Sequence, residues 1–430
     1  MANTYLTRTP ASDGNRKTFT FSGWIKRSKL GEAVIYSQGT GNNNFTLEFT
    51  SNDELNVREY EGSIKLELKS NAKFRDINAW YHIVLSVDTT QAISSDRIKV
   101  YINNNKITNW SISTYPSLNH NTFVNGTSEA RIGRYRDGNR YFDGLMSHLH
   151  LSDGTAYNAD TFGEEDLTTE IWKIITNPTV TYGTNGFFIL KDSNSLIDES
   201  GNNNTFTVDG GTLTNTESSP SNIFATGNFL IPSDLAYSNG NCTIETLFPI
   251  INTWESTGST IAVAKGKFYA EFKYISGTNV IIGVEDMKKV NDWKNEYMGY
   301  SSNGRGYRKD GKSINNNLAS TFGNSFSTGD IIGVALDMDN KFVYMSKNGV
   351  FQNSGDPTSG SSGTGGLSLS GTEYVIGASV FDAKISANFG NGLFGTTTIT
   401  SEGTNASGIG LFEYDVPTGY TALSTKGLNL

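Results

Sequence analysis

The sequence predicts an all-β protein built as two antiparallel β-sandwiches in tandem. Three observations predict it. Apolar residues alternate in short runs along nearly the whole chain, helical periodicity is almost absent, and Gly- and Asn-rich turns separate the runs. The composition agrees: Gly numbers 46, aromatics reach 12% and charged residues only 18% of the 430 residues, where soluble domains usually carry ~25% charge. A disordered chain would hold fewer aromatics and more charge.

In the first half, Phe19, Phe21, Gly23 and Ile25 share one face of a strand. Ile83, Leu85 and Val87 do so in another, and Ile98, Val100 and Ile102 in a third that ends on the turn signal Asn103-Asn104-Asn105. Ile132, Leu145, Leu149 and Leu151 continue the series. Two short helices are expected, over 160–165 and 167–175. A looser stretch at 209–243, with Gly210-Gly211 and Ser218-Ser219-Pro220-Ser221, places a boundary near Asn228, giving domains 1–228 and 229–430. Strands then resume at Phe268–Tyr274 and Ile281–Val284. Ile332–Met338 and Phe342–Tyr344 form a hairpin, and Asn348-Gly349 makes the next tight turn. Residues 354–368 are rich in Gly and Ser and read as a long mobile loop.

Charge and cysteine usage exclude several classes. The net charge is −9, a surface that a phosphate backbone repels, so no nucleic-acid partner is expected. No stretch is long and apolar enough to insert in a membrane, and Met1–Arg8 lacks the apolar region of a signal peptide. Synthesis in a cytoplasm is therefore expected. The single cysteine, Cys242, falls in the expected linker and makes no internal disulfide. Gly306–Ser313 spells G-x-x-x-x-G-K-S, but turn residues follow it where a phosphate-binding loop needs a helix, so a hairpin is the preferred reading.

Motifs in the second half, in order, are Gly266-Lys267-Phe268-Tyr269-Ala270-Glu271, Ile282-Gly283-Val284, Gly299-Tyr300, Asp310-Gly311-Lys312, Gly329–Asp337, Lys341–Val350 and Asn388-Phe389-Gly390. This series resembles SPRY domains, whose inter-strand loops form the binding face. In the first half, Phe19–Lys26, Trp80–Val84, Val100–Asn103 and Phe142–Met146 resemble laminin-G-like, concanavalin-A-like jelly rolls. Asp198–Asn204 resembles a segment that usually precedes such a domain. The first domain is thus expected to be permuted and closed by 187–208. Asn3–Pro10, Thr18–Arg27, Tyr182–Phe187 and Pro417–Leu423 complete a similarity to virion proteins of marine bacteriophages, cyanophages especially. That resemblance implies a non-enzymatic protein on the particle surface, a tail fibre or fibre-associated, contacting other virion proteins and host surface polysaccharide. It implies a homo-oligomer, a trimer as first expectation. The alternatives are a capsid or tail decoration protein with only protein contacts, or a glycan-cleaving enzyme.

Sugar binding stacks aromatic rings on apolar ring faces, with Asn and Asp fixing hydroxyls. Trp293, Tyr297, Tyr300 and Tyr307, among Asn291, Asn295, Asn303 and Asp310, are the candidates in the second half; Tyr135, Arg136 and Tyr141 form a second set. Asp53, Asp137, Asn139 and Asp143 are oxygen donors of the type calcium takes, though Asp137-Gly138-Asn139 reads first as a turn, and no other cofactor is expected. His148 and His150 share a strand face, as zinc would need, but read as surface histidines. Glycoside hydrolysis needs two facing carboxylates. Glu59 and Glu61 alternate on a strand expected to be exposed, and Glu48 and Glu271 stand alone.

Overall fold

The computed structural model describes residues 3–77, 79–167, 170–191, 195–247, 253–293 and 296–430, with the side chains of 290–292 left aside. Among the described residues every regular element is a β-strand or a short 3₁₀ turn. The chain divides into two compact units, Met1–Asn215 and Thr216–Leu430.

The first unit contains β1 (Leu6–Arg8), β2 (Thr18–Arg27), β3 (Ala33–Thr40), β4 (Asn43–Phe49), β5 (Glu54–Tyr60), β6 (Ile64–Lys73), β7 (Tyr81–Asp88), β8 (Ile98–Ile102), β9 (Asn105–Lys106), β10 (Trp110–Thr114), β11 (Ala130–Ile132), β12 (Gly144–Asp153), β13 (Gly163–Glu165), β14 (Trp172–Ile174), β15 (Phe187–Ile189) and β16 (Thr207–Val208). One sheet runs β10-β6-β5-β4-β3-β11-β1-β16 and the other β15-β12-β2-β7-β8-β9. The period-2 faces meet between them. Phe19, Phe21 and Ile25 from one sheet join Phe45, Leu47 and Phe49 from the other in a single apolar core. Segment 187–208 supplies one strand to each sheet: β15 pairs with β12, and β16 with β1. The Asn103-Asn104 turn has two positive φ angles, 47° and 67°. Asn tolerates that conformation, and its mirror-image turn matches the strand twist.

Two expectations fail in this unit for one reason. The outer face of the six-stranded sheet is covered by residues from 155–167 and 170–182 instead of water, with Val84, Ala159 and Phe162 forming a small apolar cluster there. The expected helices at 160–165 and 167–175 are therefore a 3₁₀ turn at Ala159–Thr161 followed by a two-stranded ribbon, β13 with β14; residues 168–169 lie outside the described set. His148 and His150 are buried, not on the surface. A bulge between Ser147 and His150 breaks their shared face. His150 stacks on Phe188 at 3.9 Å and bonds the Tyr182 hydroxyl, and burial pushes its pKa well below the ordinary histidine value.

The second unit contains β17 (Leu235–Ser238), β18 (Thr243–Thr246), β19 (Glu255–Gly258), β20 (Lys267–Asp286), β21 (Arg305–Arg308), β22 (Lys312–Asn315), β23 (Leu318–Thr321), β24 (Ile331–Asp337), β25 (Phe342–Lys347), β26 (Val350–Phe351), β27 (Leu367–Ser368), β28 (Tyr374–Asn388), β29 (Leu393–Phe394), β30 (Thr397–Thr398) and β31 (Thr421–Ala422). Two expected strands, at 268–274 and 281–284, are one 20-residue element, β20. Its first part pairs with β24 and its last part with β21, while β28 follows it along most of its length. Both long strands bend where Gly277 (φ 118°) lies opposite Ala383, next to Asp382 (φ 43°). A Cβ on Gly277 would sit 2.2 Å from the Asp382 carbonyl oxygen, so the bend requires glycine. The two layers of this sandwich thus share β20 and β28, and the core around Phe272, Ile282, Ile332, Leu336 and Ile376 fills the space between them.

The division between units falls before Asn228. Thr216 Oγ1 donates to the Asn391 carbonyl and Ala225 N to that of Leu423, so 216–228 is bonded into the second unit. Cys242 is not in a linker; it is buried there, and its carbonyl accepts from Ala387 N at 2.7 Å. Residues 354–368, expected to be loose, are pinned. Asp356 N donates to Thr364 O, the Tyr420 hydroxyl donates to Pro357 O, and β27 pairs with β25. The G-x-x-x-x-G-K-S stretch is the β21–β22 hairpin, with Gly306 paired to Ile314.

Candidate functional site

At one end of the first sandwich, a cleft of about 710 Å³ opens between the β2–β3 turn and the loop that joins β11 to β12. Its walls are Lys29, Leu30, Glu32 and Ala33 on one side, Gly138–Asp143 on the other, and Asn3 from the segment that precedes β1. Leu30 is 39% exposed and Tyr141 half-buried, and Asn3, Glu32, Asn139 and Asp143 are exposed. The cleft therefore offers an apolar side chain and an aromatic ring among amide, carboxylate and ammonium groups.

Each wall is held by charge as well as backbone pairing. Ser28 N donates to Asp143 O at 2.8 Å and Val34 N to Arg140 O at 3.0 Å, which ties the two walls together. The β2–β3 turn is fixed from below by Asp53, whose carboxylate accepts from Gly31 N (2.7 Å), Arg27 Nη2 (2.9 Å) and Arg75 Nε (3.1 Å). Burial alone would raise the Asp53 pKa. The Gly31 N–H and the two guanidinium groups overcome it and hold the group below the usual aspartate value. Arg27 is fully buried, lies 4.3 Å above the Phe49 ring, and donates to Phe74 O and Gly31 O.

The opposite wall is an arginine-rich hairpin. Arg140 reaches across to Glu48 (2.6 Å) and stacks on Tyr135 at 3.6 Å. Burial pushes the Glu48 pKa up, with Arg140 and Asn56 opposing it. Arg134 lies 4.1 Å above Tyr5, whose ring is 6.0 Å from that of Tyr141. Arg136 pairs with Asp137 at 3.0 Å.

The structure sorts the expected site residues. Asn139, Tyr141 and Asp143 line one cleft. Tyr135 is buried beneath it, held between Arg136 and Arg140. Asp137 is spent on Arg136 and is not part of the lining, and Asp53 is spent on two arginines. Among the described residues no cluster of three or more His, Cys, Asp or Glu has metal-holding geometry. In the second unit, Trp293 and Tyr307 are core residues rather than loop aromatics. Trp293 packs on Ile281, Met298 and Val375, and Tyr307 packs on Phe322 and Phe326 with its hydroxyl donated to Asn324 O. Tyr297 and Tyr300 remain at the surface, half-buried and 38% exposed. Asn295 and the Asn291 side chain lie outside the described set.

Glu59 is buried, not exposed, and binds His120 Nε2 and Phe123 N. Glu271 accepts from Glu413 N, Tyr414 N, Asn388 and Tyr269. No two of Glu48, Glu59 and Glu271 share a partner, so these carboxylates do the work of fixing loops. Sequence reasoning missed Asn3, Lys29, Leu30, Glu32 and Arg140. Arg140 adjoins Asn139 and Tyr141 in sequence; the other four are distant from that hairpin, and only sheet register brings them to it.

Comparison with known proteins agrees with this architecture for the first unit. Residues 2–160 match the family model of the concanavalin A-like lectin/glucanases superfamily, a span that includes every residue lining the cleft. No curated protein matches the chain. Among solved structures, a human SPRY domain is similar at 13% identity and TM-score 0.28, covering 36% of this chain and 94% of its own. A heptameric SAP-like pentraxin from Limulus polyphemus is similar at 18% identity and TM-score 0.28, covering 36% and 72%. A candidate carbohydrate-binding protein from Bacteroides ovatus is similar at 18% identity and TM-score 0.33, covering 50% and 58%.

Proposed function

We propose that the first unit is a glycan-binding module and that the cleft between the β2–β3 turn and the 133–143 hairpin is its site. The observation that carries this reading is the lining itself. Tyr141 and Leu30 offer an apolar surface for the face of a sugar ring, while Asn3, Asn139, Asp143 and Glu32 stand around it to bond hydroxyls. The volume, about 710 Å³, is that of a ligand site, for which ~300–1,000 Å³ is usual. The superfamily matched by residues 2–160 includes lectins by its description, which supports binding of carbohydrate. We read the site as one for binding; Asp53 and Glu48, buried beside its walls, are committed to arginines.

The biological setting we propose is the surface of a bacteriophage particle, where such a module would hold host polysaccharide. This part rests on the sequence motifs Asn3–Pro10, Tyr182–Phe187 and Pro417–Leu423. The test is a glycan array probed with the full chain. Tyr141→Ala and Asn139→Ala should each weaken binding to whichever glycans the wild type retains, Tyr141→Ala by about tenfold, the equivalent of about 1.4 kcal/mol. Equal retention by wild type and both variants would remove the cleft from consideration.

A further inference from the structure

We propose that the second unit carries its own sugar-binding platform, built from Trp254, Tyr297, Tyr300 and Phe381. This inference does not depend on the cleft of the first unit. The four rings form one contiguous chain of tilted and edge-to-face contacts: Trp254 lies 5.6 Å from Phe381 and 5.3 Å from Tyr297, and Tyr297 lies 5.5 Å from Tyr300. Trp254, Phe381 and Tyr297 are half-buried and Tyr300 is 38% exposed.

The fold explains why the rings are held there. Strand β19 pairs with β28 through Glu255 and Val380, which sets Trp254 beside Phe381. The segment that follows β20 returns over the same face and is anchored by buried Trp293 and Met298 against Ile281 and Val375. That anchoring leaves Tyr297 and Tyr300 at the margin, joined by a turn in which Tyr300 N donates to Tyr297 O at 2.8 Å. The Tyr297 hydroxyl is fixed by Asn317 at the tip of the β22–β23 turn. Tyr297 and Trp254, packed against the cluster of Trp293 and Met298, are therefore preorganised, with little side-chain entropy left to lose on binding.

The polar groups at the ring edges identify the occupant. Among the described residues, the Trp254 indole N–H, the Tyr300 hydroxyl and the Asn317 amide nitrogen have no hydrogen-bond partner, whereas the Asn317 oxygen is taken by Tyr297. Ring faces with donors at their margins suit a hydroxylated ring: C–H faces stack and hydroxyls bond at the edge. A protein surface that covered the rings with apolar side chains would bury those donors unpaired, at a cost of ~1–3 kcal/mol each.

The test uses the full chain carrying Tyr141→Ala, so that binding in the cleft is reduced about tenfold, and saturation-transfer NMR with laminarihexaose, mannohexaose and chitohexaose. Transfer to at least one of the three is expected to persist in that background. Adding Trp254→Ala and Tyr300→Ala should weaken it about tenfold or more, one strong contact's worth. Tyr300→Ala alone, at an exposed position, should weaken it while leaving the melting temperature unchanged, and Trp254→Phe, which keeps the ring face and loses the N–H, should weaken it less than Trp254→Ala. Three results would overturn the inference: no transfer in the Tyr141→Ala background, transfer unmoved by the double alanine change, or a double alanine change that alters self-association in sedimentation and leaves sugar transfer intact. The first of these leaves the cleft standing if the wild type still binds.

Discussion

Asp53 in the first unit and Glu271 in the second are buried by opposite means. In the first, Asp53 is taken out of water between Arg27 and Arg75, and its pKa falls. In the second, Glu271 is fully buried with no cation at ion-pair distance among the described residues; two backbone N–H groups, Asn388 and Tyr269 are its partners. Burial dominates there and pushes its pKa up to about 7. Both groups hold a loop in place. What differs is whether charge or dipoles compensate desolvation, and the two groups should answer pH in opposite directions.

That contrast can be broken most forcefully at Asp53. Asp53→Ala leaves Arg27 buried and uncompensated, and should destabilise the first unit by about 3–5 kcal/mol. Hydrogen exchange of peptides from 27–34 and 49–56 in the full chain reads the loss, with peptides from the second unit as internal reference. Exchange unchanged at both segments would show that the pair is dispensable. In the wild type the Asp53 contribution is present at neutral pH and fades as the pH falls through its depressed folded value.

The next effect has the opposite sign. Glu271 holds its proton to higher pH folded than unfolded, so its contribution is complete below the unfolded value near 4.5 and is lost as the pH rises through about 7. Between pH 5 and 8 the second unit should lose on the order of 3 kcal/mol. Glu271→Gln should flatten that slope whatever it does to absolute stability. A slope that survives in the Gln variant would assign the pH response to other groups. The smallest effect sharpens the first comparison. Arg75 pairs with the same carboxylate as Arg27, but its side chain is 56% exposed. Arg75→Ala should cost under about 1 kcal/mol by chemical denaturation, because water replaces the lost partner.

The sequence carries the strands and turns well because they are local. Phe19, Phe21 and Ile25 face the core as their spacing requires, and Asn103-Asn104 and Asn348-Gly349 turn with positive φ. Failures came where distant chain returns to cover a face. Residues from 155–167 and 170–182 hide His150 and His82, and the segment after β20 hides Trp293. An aromatic residue between strands reads the same whether its loop projects or folds back. The candidate cleft is partly legible: Asn139, Tyr141 and Asp143 lie close in sequence, but Tyr141 reads there as a sugar-stacking ring and Asn139 and Asp143 as calcium donors. Asn3, Lys29 and Glu32 reach them only through the β1–β11–β3 register, which no local pattern specifies.

One consequence of the long strands β20 and β28 is mechanical. Most sandwiches are two plates joined at their rims, and they can part by sliding or by opening like a book. Here the plates are a single sheet folded along a crease at Gly277 and Asp382. Tension applied to one layer passes through two continuous backbones into the other, so the layers cannot be pulled apart without tearing covalently connected strands out of register. Motion is left to flexing about the crease, which would bring the Phe381 end of the aromatic platform along with it.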